Sequence, residues 1–123
     1  YRYTLNADGT VAAKTVWRVF TDAEGTPDGM THDADGNVWI AFWGGACIRQ
    51  FTPEAELLQT IPLPATQITS MAFGGDDYRT LFVTSARIGL DVTTLQKYPL
   101  SGACFAFTPG VAGVAAMPFG AKP

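Results

Sequence analysis

Charge is scarce in this chain of 123 residues. Charged residues make up 15% of it, and the formal balance is −3. Folded domains usually carry about a quarter. Disorder requires high charge and low hydrophobicity, and it is excluded by an apolar content of 47%. The eight Lys and Arg are scattered singly from Arg2 to Lys122, so there is no basic patch for nucleic acid. Long apolar runs are missing too: nothing approaches the roughly 18 residues of a membrane span. Histidine is reduced to His32, which excludes a multi-histidine metal site within one chain. The two cysteines, Cys47 and Cys104, are too few for a disulfide framework. Each sits in an apolar stretch, which predicts two buried free thiols and leans towards a reducing compartment. Also absent are G-x-S-x-G, a Walker loop, H-E-x-x-H and C-x-x-C. The chain opens at Tyr1 with no Met and no basic-then-apolar leader. The expectation is a cut or processed start and a cytoplasmic location.

What is present is glycine, aromatic residues and short apolar runs. No dozen residues carry a 3.6-residue apolar period. Runs bounded by Gly, Asp, Asn and Pro predict strands and tight turns. Strands are expected at Tyr1–Leu5, Lys14–Phe20, Met30–Asp33, Val38–Trp43, Cys47–Phe51, Leu57–Leu63, Ile68–Phe73, Thr80–Ser85, Cys104–Phe107 and Val111–Ala116. Val38–Trp43 is apolar at every position, so it should be an inner strand covered on both faces. A longer polar excursion runs from Arg87 to Ser101.

The pattern restarts. Met30 to Ala41 lies over Met71 to Thr84, with first residues 41 apart. Gly45-Ala46-Cys47 leading to Phe51-Thr52-Pro53 is echoed by Gly102-Ala103-Cys104 leading to Phe107-Thr108-Pro109. A period near 40 with four strands per copy is the size of one β-propeller blade. The fold class is therefore all-β, with the single domain 1–123 read as a half blade (1–20), a blade (29–63) and a blade with a long internal loop (68–116). About three blades cannot close a ring, since propellers use four to eight. Such an arc exposes two blade faces and a raw sheet edge, so a partner is expected.

Thr26-Pro27-Asp28-Gly29-Met30 is the strongest short feature. It precedes an inner strand, at one mouth of the central channel of a propeller. Asp28 there is either a hard oxygen ligand for a divalent cation or part of a plain Pro-Asp-Gly turn. Asp33-Ala34-Asp35-Gly36-Asn37 resembles the start of a calcium loop, but it lacks the third acidic position and the distant Glu, so a hairpin turn is expected. Asp76 and Asp77 occupy the equivalent turn. His32, Trp39 and Trp43 are expected to pack in the fold. Arg87 follows an inner strand and either reaches the channel rim or forms a surface ion pair.

Thr26-Pro27-Asp28-Gly29-Met30 followed by Asp33-Ala34-Asp35-Gly36-Asn37-Val38-Trp39-Ile40-Ala41 resembles the P-D-G-x-x-x-D-x-x-G-x-x-W-x-A signature of the SMP-30/gluconolactonase/regucalcin-like family. Ile48 to Pro53, Thr69 to Asp77 and Leu81 to Arg87 are similar to its later segments. Gly102 to Phe107, Gly113 and Pro118-Phe119 are similar to its carboxy-terminal ending. The resemblance runs through nearly the whole chain, to the carboxy-terminal half of that family. It implies a six-bladed β-propeller about twice this long. It also implies one divalent cation (Ca, Zn, Mg or Mn) in the channel and hydrolysis of a small-molecule lactone. Of the family's Glu, Asn and Asp ligands, only the Asp has a counterpart here, Asp28. The resemblance gives Asp28 two roles, metal ligand and catalytic residue that orients or deprotonates the attacking water, with the cation polarising the lactone carbonyl.

Two classes of function follow. One is part of a metal-dependent lactone hydrolase, completed by a missing amino-terminal half. The other is a non-catalytic, self-associating half-propeller, a scaffold or small-ligand module. There a second copy forms a homodimer, and the cation is shared with that partner chain.

Overall fold

The computed structural model describes residues 1–116, 118 and 120. Phe119, in the Pro118-Phe119 ending noted above, lies outside the described residues. The chain opens with a hairpin of β1 (Arg2–Leu5) and β2 (Val11–Thr15), a separate two-stranded sheet whose residues are all exposed. Its turn uses Gly9 at φ +84°, and the Asp8 carboxylate accepts the Thr10 N–H at 3.0 Å. The returning strand ends at Thr15, not at Phe20 as the alternation suggested. Trp17, Arg18 and Phe20 are all half-buried against the next sheet, which a two-residue period does not allow. Residues 16–20 form a strap instead. The Trp17 indole donates to the Pro53 carbonyl and the Arg18 guanidinium to that of Ala55, each at 2.7 Å. The Phe20 ring meets Phe42 and Phe51 edge-on, with centroids 5.1 and 5.7 Å away.

A four-stranded antiparallel meander follows: β3 (Thr26–His32), β4 (Val38–Trp43), β5 (Cys47–Phe51) and β6 (Leu57–Pro62). Next come β7 (Gln67–Gly74), β8 (Thr80–Ala86) and β9 (Cys104–Phe107), also antiparallel. The two units join through one pair, Trp43 with Gln67, and β3 lies beside β7. The structure is all-β, as expected, apart from two short helical pieces. One is the single turn at Asp22–Glu24. The other is α1 (Val92–Lys97), inside the excursion read from sequence only as polar. The Asp91 carboxylate caps α1 by accepting the Thr94 N–H at 2.7 Å. Val111–Ala116 is not a strand; it contributes one bridge, Gly113 to Asp33.

β4 is covered on both faces, as its apolar run implied. Trp39 and Ala41 pack with Ile48, Ile68, Met71, Leu81 and Val83, between the two units. Ile40 and Phe42 pack with Cys47 and Phe51, under Trp17 and Phe20 of the strap. Each such side chain contributes about 1.5–3 kcal/mol by leaving water. Cys47 is buried, but Cys104 is exposed, correcting the expectation of two buried thiols. Cys104 pairs with Thr84 on a sheet face left exposed among the described residues. His32 belongs to β3, yet it too is exposed, because the period of two turns it away from buried Asp33.

Asp33 closes the turn between β3 and β4 and is 1% exposed. Its carboxylate accepts the Trp39 indole N–H at 2.8 Å, the Gln50 amide at 2.7 Å, the Asn37 N–H at 2.9 Å, the Asn37 amide at 3.3 Å and the Asp35 N–H at 3.1 Å. Burial pushes its pKa up, but the Trp39, Asn37 and Gln50 donors outweigh that, and the carboxyl ionises below the ordinary range. A folded pKa below the unfolded one means that the unfolded chain binds more protons. The stabilisation is complete above the unfolded value, about 4, and is lost as pH falls through the folded value. Asp33→Ala should cost about 3 kcal/mol in urea unfolding at pH 7 by stranding buried donors. Between pH 5 and pH 2, Asp33→Asn should lose a smaller share of its stability than the native chain does. An equal loss would show that this carboxylate does not carry the acid sensitivity.

Candidate functional site

Asp28 sits within β3 rather than before it. Pro27 pairs with Phe42 and Met30 with Ile40. Two residues of β3, Asp28 and Gly29, thus face a single residue of β4. This is a β-bulge, the device that re-aims a side chain out of a regular ladder. Asp28 is exposed.

The neighbouring inner strand does the same thing at the same place. In β7, Ile68 pairs with Ser85 and Ser70 with Thr84, so Thr69 is the extra residue. Moving along the 41-residue repeat that carries Met30 to Met71 brings Asp28 onto Thr69 and Gly29 onto Ser70. The two bulges also touch. A Cβ added to Gly29 would collide with Ser70 Oγ and come within 2.7 Å of the Thr69 carbonyl oxygen. Glycine is required there for space, since only its missing side chain lets the bulges meet. Beside this junction Thr69 Oγ1 and Thr84 Oγ1 lie 2.7 Å apart, and the Thr84 hydroxyl donates to the Ser70 carbonyl at 3.4 Å. Three hydroxyl-bearing residues therefore lie at the meeting point of two blades, with Asp28 next in sequence to the Gly29 that touches them. Sequence reasoning singled out Asp28 and missed Thr69, Ser70 and Thr84. The repeat offset held the signal, because it places Thr69 on the Asp28 position.

The remaining candidates do not join this cluster. Asp33 is a buried structural anion in a hairpin turn, as the turn reading expected, and Asp35 lends it a backbone N–H. Asp77 accepts the Arg79 N–H at 3.1 Å and faces its guanidinium at 3.9 Å, both exposed. Trp39 is fully buried and Trp43 half-buried, as packing residues. Arg87 is exposed, and the ion pairs among the described residues are Arg79–Asp77 and Arg49–Glu24. Glu24 ends the short helical turn before β3: its carboxylate accepts from Thr21, which lowers its pKa, with Arg49 and Arg18 adding to the effect. Among the described residues no three His, Cys, Asp or Glu side chains cluster as a metal site. The carboxylate of Asp28 suits a hard cation in kind. In number, one carboxylate falls short of the six to eight oxygens that Ca²⁺ takes.

Residues 1–87 match the family described as SMP-30/Gluconolactonase/LRE-like region. The chain is 40% identical over 116 residues to a regucalcin from Danio rerio, covering 93% of this chain and 39% of the relative. It is 38% identical over 116 residues to a 6-deoxy-6-sulfogluconolactonase from Pseudomonas putida, covering 94% and 40%. A crystal structure of a calcium-binding protein, regucalcin, from Agrobacterium tumefaciens matches with a TM-score of 0.82 at 32% identity, covering 91% and 39%. The chain thus spans about two fifths of the length of the relatives it matches. Six four-stranded blades hold about 24 strands. The nine strands among the described residues are about 38% of that number, the same share.

Gly29→Ala tests the junction. It should cost about 2–3 kcal/mol, since backbone and a short side chain must move aside. Gly36→Ala, at φ +84° with open space around it, should cost only about 1 kcal/mol of backbone strain. Urea midpoints compare the two, and an equal shift would mean the bulges are not in tight contact.

Proposed function

The chain belongs to the SMP-30/gluconolactonase/LRE-like family, and from that premise we propose that it is part of a lactone hydrolase with Asp28 as its catalytic carboxylate. The observation that carries this reading is the bulge. It takes Asp28 out of the ladder, leaves it exposed, and sets it where two inner strands meet. An exposed carboxylate at that point accepts a hydrogen bond from water and takes its proton as the oxygen attacks the lactone carbonyl. The ring C–O bond then breaks, and the ring oxygen takes up a proton to give the hydroxy acid. Asp28 would also lend one oxygen to a divalent cation (Ca, Zn, Mg or Mn), whose other ligands come from outside this chain. When bound, such a cation supplies polarisation of the carbonyl. Support for divalent-metal use comes from the structural neighbour's description as a calcium-binding protein.

The ring is completed by an amino-terminal half. A second reading, pairing of two copies without catalysis, is favoured by uncovered apolar surface. Ala72, Phe82 and Ala106 are cross-strand neighbours on one exposed face, and Tyr1, Val16 and Val19 are exposed near the other end. No helix among the described residues is long and apolar enough to cross a membrane. The free thiols favour a reducing compartment, and we place the chain in the cytoplasm.

In the assembly that turns over a lactone, Asp28→Asn should lower kcat at least about 100-fold. A chelator should abolish turnover and added divalent cation restore it. Unchanged turnover in Asp28→Asn would remove Asp28 from the site. Sedimentation equilibrium of the chain alone separates the readings: pairing of two copies predicts a dimer, and a monomer at high concentration counts against it.

A further inference from the structure

The two units share one plan up to the end of their second strands. Thr26 pairs with Trp43 in the first unit, and Gln67 with Ala86 in the second. The residues that follow, Gly44 and Arg87, are therefore counterparts. Residues 44–46 suffice to reach β5, whereas the second unit uses residues 87–103 before β9. Gly45-Ala46-Cys47 matches Gly102-Ala103-Cys104, so the extra chain is inserted between Arg87 and Gly102. The neck of this insert is closed. A Cβ built on Gly102 would lie 3.2 Å from Arg87 Cβ and 4.0 Å from its Cδ, so the arginine stem crosses the space that the glycine leaves. The Ser85 hydroxyl donates to the Ala103 carbonyl at 2.7 Å and accepts the Gly102 N–H at 3.0 Å. On the other side, the Gln67 amide donates to the Ile88 carbonyl at 3.0 Å.

The insert is a costly way to join two strands. Gln67 and Ser101 are 8% and 5% exposed, yet Gln67 Oε1 and Ser101 Oγ have no hydrogen-bond partner among the described residues. Burying unpaired polar groups costs stability, a cost that a link serving only to join strands has no reason to carry. What the insert holds in place is Arg87, fixed by its stem and exposed at its head. Arg87 enters no ion pair among the described residues. The one acid of the insert, Asp91, is engaged as the cap of α1. Arg87 also lies past the last rung of the ladder, off the sheet faces that a neighbouring blade covers. Nothing lies within 4 Å of a Cβ built on its counterpart, Gly44. The Gln67 rung is two residues, about 7 Å, from Thr69. Arg87 thus stands at the same end of the sheet as the junction of the two bulges.

We propose that Arg87 binds a carboxylate carried by the substrate and so selects acidic lactones over neutral ones. The substrate class rests on the lactone-hydrolase reading, but the anion site does not depend on the chemistry at Asp28. A guanidinium offers a planar fork that a carboxylate meets with two parallel hydrogen bonds. Arg87 is a substrate-binding residue, and Gln67, which holds the Ile88 carbonyl, is its positioning residue.

The test has two arms. The turnover arm compares kcat/KM for a glucaro-δ-lactone, which carries a carboxylate, with that for neutral δ-gluconolactone. Arg87→Gln should lower this ratio about tenfold, through KM, because a charge-assisted hydrogen bond is lost. Arg87→Lys, which keeps the charge without the fork, should lower it less. Gln67→Leu should lower it by a smaller factor beside Arg87 and not at all in the Arg87→Gln background. An unchanged ratio in Arg87→Gln overturns the proposal. In the binding arm, the nitrogen-labelled chain itself is titrated with glucarate and followed by NMR, with a chelator present so that no cation bridges the two. The Arg87 Nε–H signal should shift and saturate, and that of exposed Arg2 should not. Uncharged sorbitol should leave both in place. No shift at Arg87, or an equal shift at Arg2, overturns the proposal. If no lactone is turned over while glucarate still shifts and saturates Arg87, the hydrolase reading fails and the anion site stands.

Discussion

A single buried anion holds the described fold together. Among the described residues Asp33 has no cation partner; five N–H groups from Asp35, Asn37, Trp39 and Gln50 take the place of one. They come from the β3–β4 turn, from β4 and from β5. Gln50 in turn accepts the Gln59 amide at 2.7 Å, extending the network to β6. The backbone at Asp33 reaches further. It bridges to Gly113, and the Ala34 N–H donates to the Ala112 carbonyl at 2.8 Å. The Gly113 N–H donates to the Tyr78 carbonyl at 2.8 Å, which ties in the β7–β8 turn. A buried charge with any of these partners missing would cost more than its bonds return, so the parts are obliged to assemble together.

With those turns pinned, the opposite ends of β3 and β7 are fixed as well. That is where the bulges lie. β-Bulges tend to flank functional sites because they redirect one side chain without dissolving a sheet. Here two of them share one contact, and what differs between copies is chemistry: a carboxylate at Asp28 in one and a hydroxyl at Thr69 in the next. The same backbone device thus carries two kinds of polar side chain.

Much of this was legible in the residues. Strand β4 and its two-sided burial followed from an unbroken apolar run, and the blade repeat followed from Met30 and Met71. Reading failed where side-chain anchoring overrode periodicity. The segment 16–20 alternates like a strand, but Trp17 and Arg18 find carbonyl partners across the sheet that a ladder would deny them. Residues 111–116 look apolar enough for a strand, yet Gly113 is pressed so close to Phe73 that it has no room for a side chain. Asp33 looked like an ordinary turn residue, because its donors Trp39 and Gln50 lie 6 and 17 residues away. Thr69 was hidden for a related reason, since a hydroxyl has no charge to mark it and only the neighbouring strand gives it meaning.

The two-faced strand β4 has a consequence for how such chains can change. Its neighbours in sequence serve different cores: Trp39 and Ala41 meet Ile68, Leu81 and Val83 of the second unit, with the Phe73 ring edge-on to Trp39, while Ile40 and Phe42 meet the strap's aromatic rings and the Arg49 guanidinium, 4.2 Å from the Phe42 ring centroid. Inserting or deleting one residue there would exchange the contents of both cores at once. The turns at Gly9 and Gly36, with nothing close by, carry no such constraint. Length variation during divergence is thus confined to the hairpin tips, and the unbroken run Val38–Trp43 becomes the part of the chain least free to change in length.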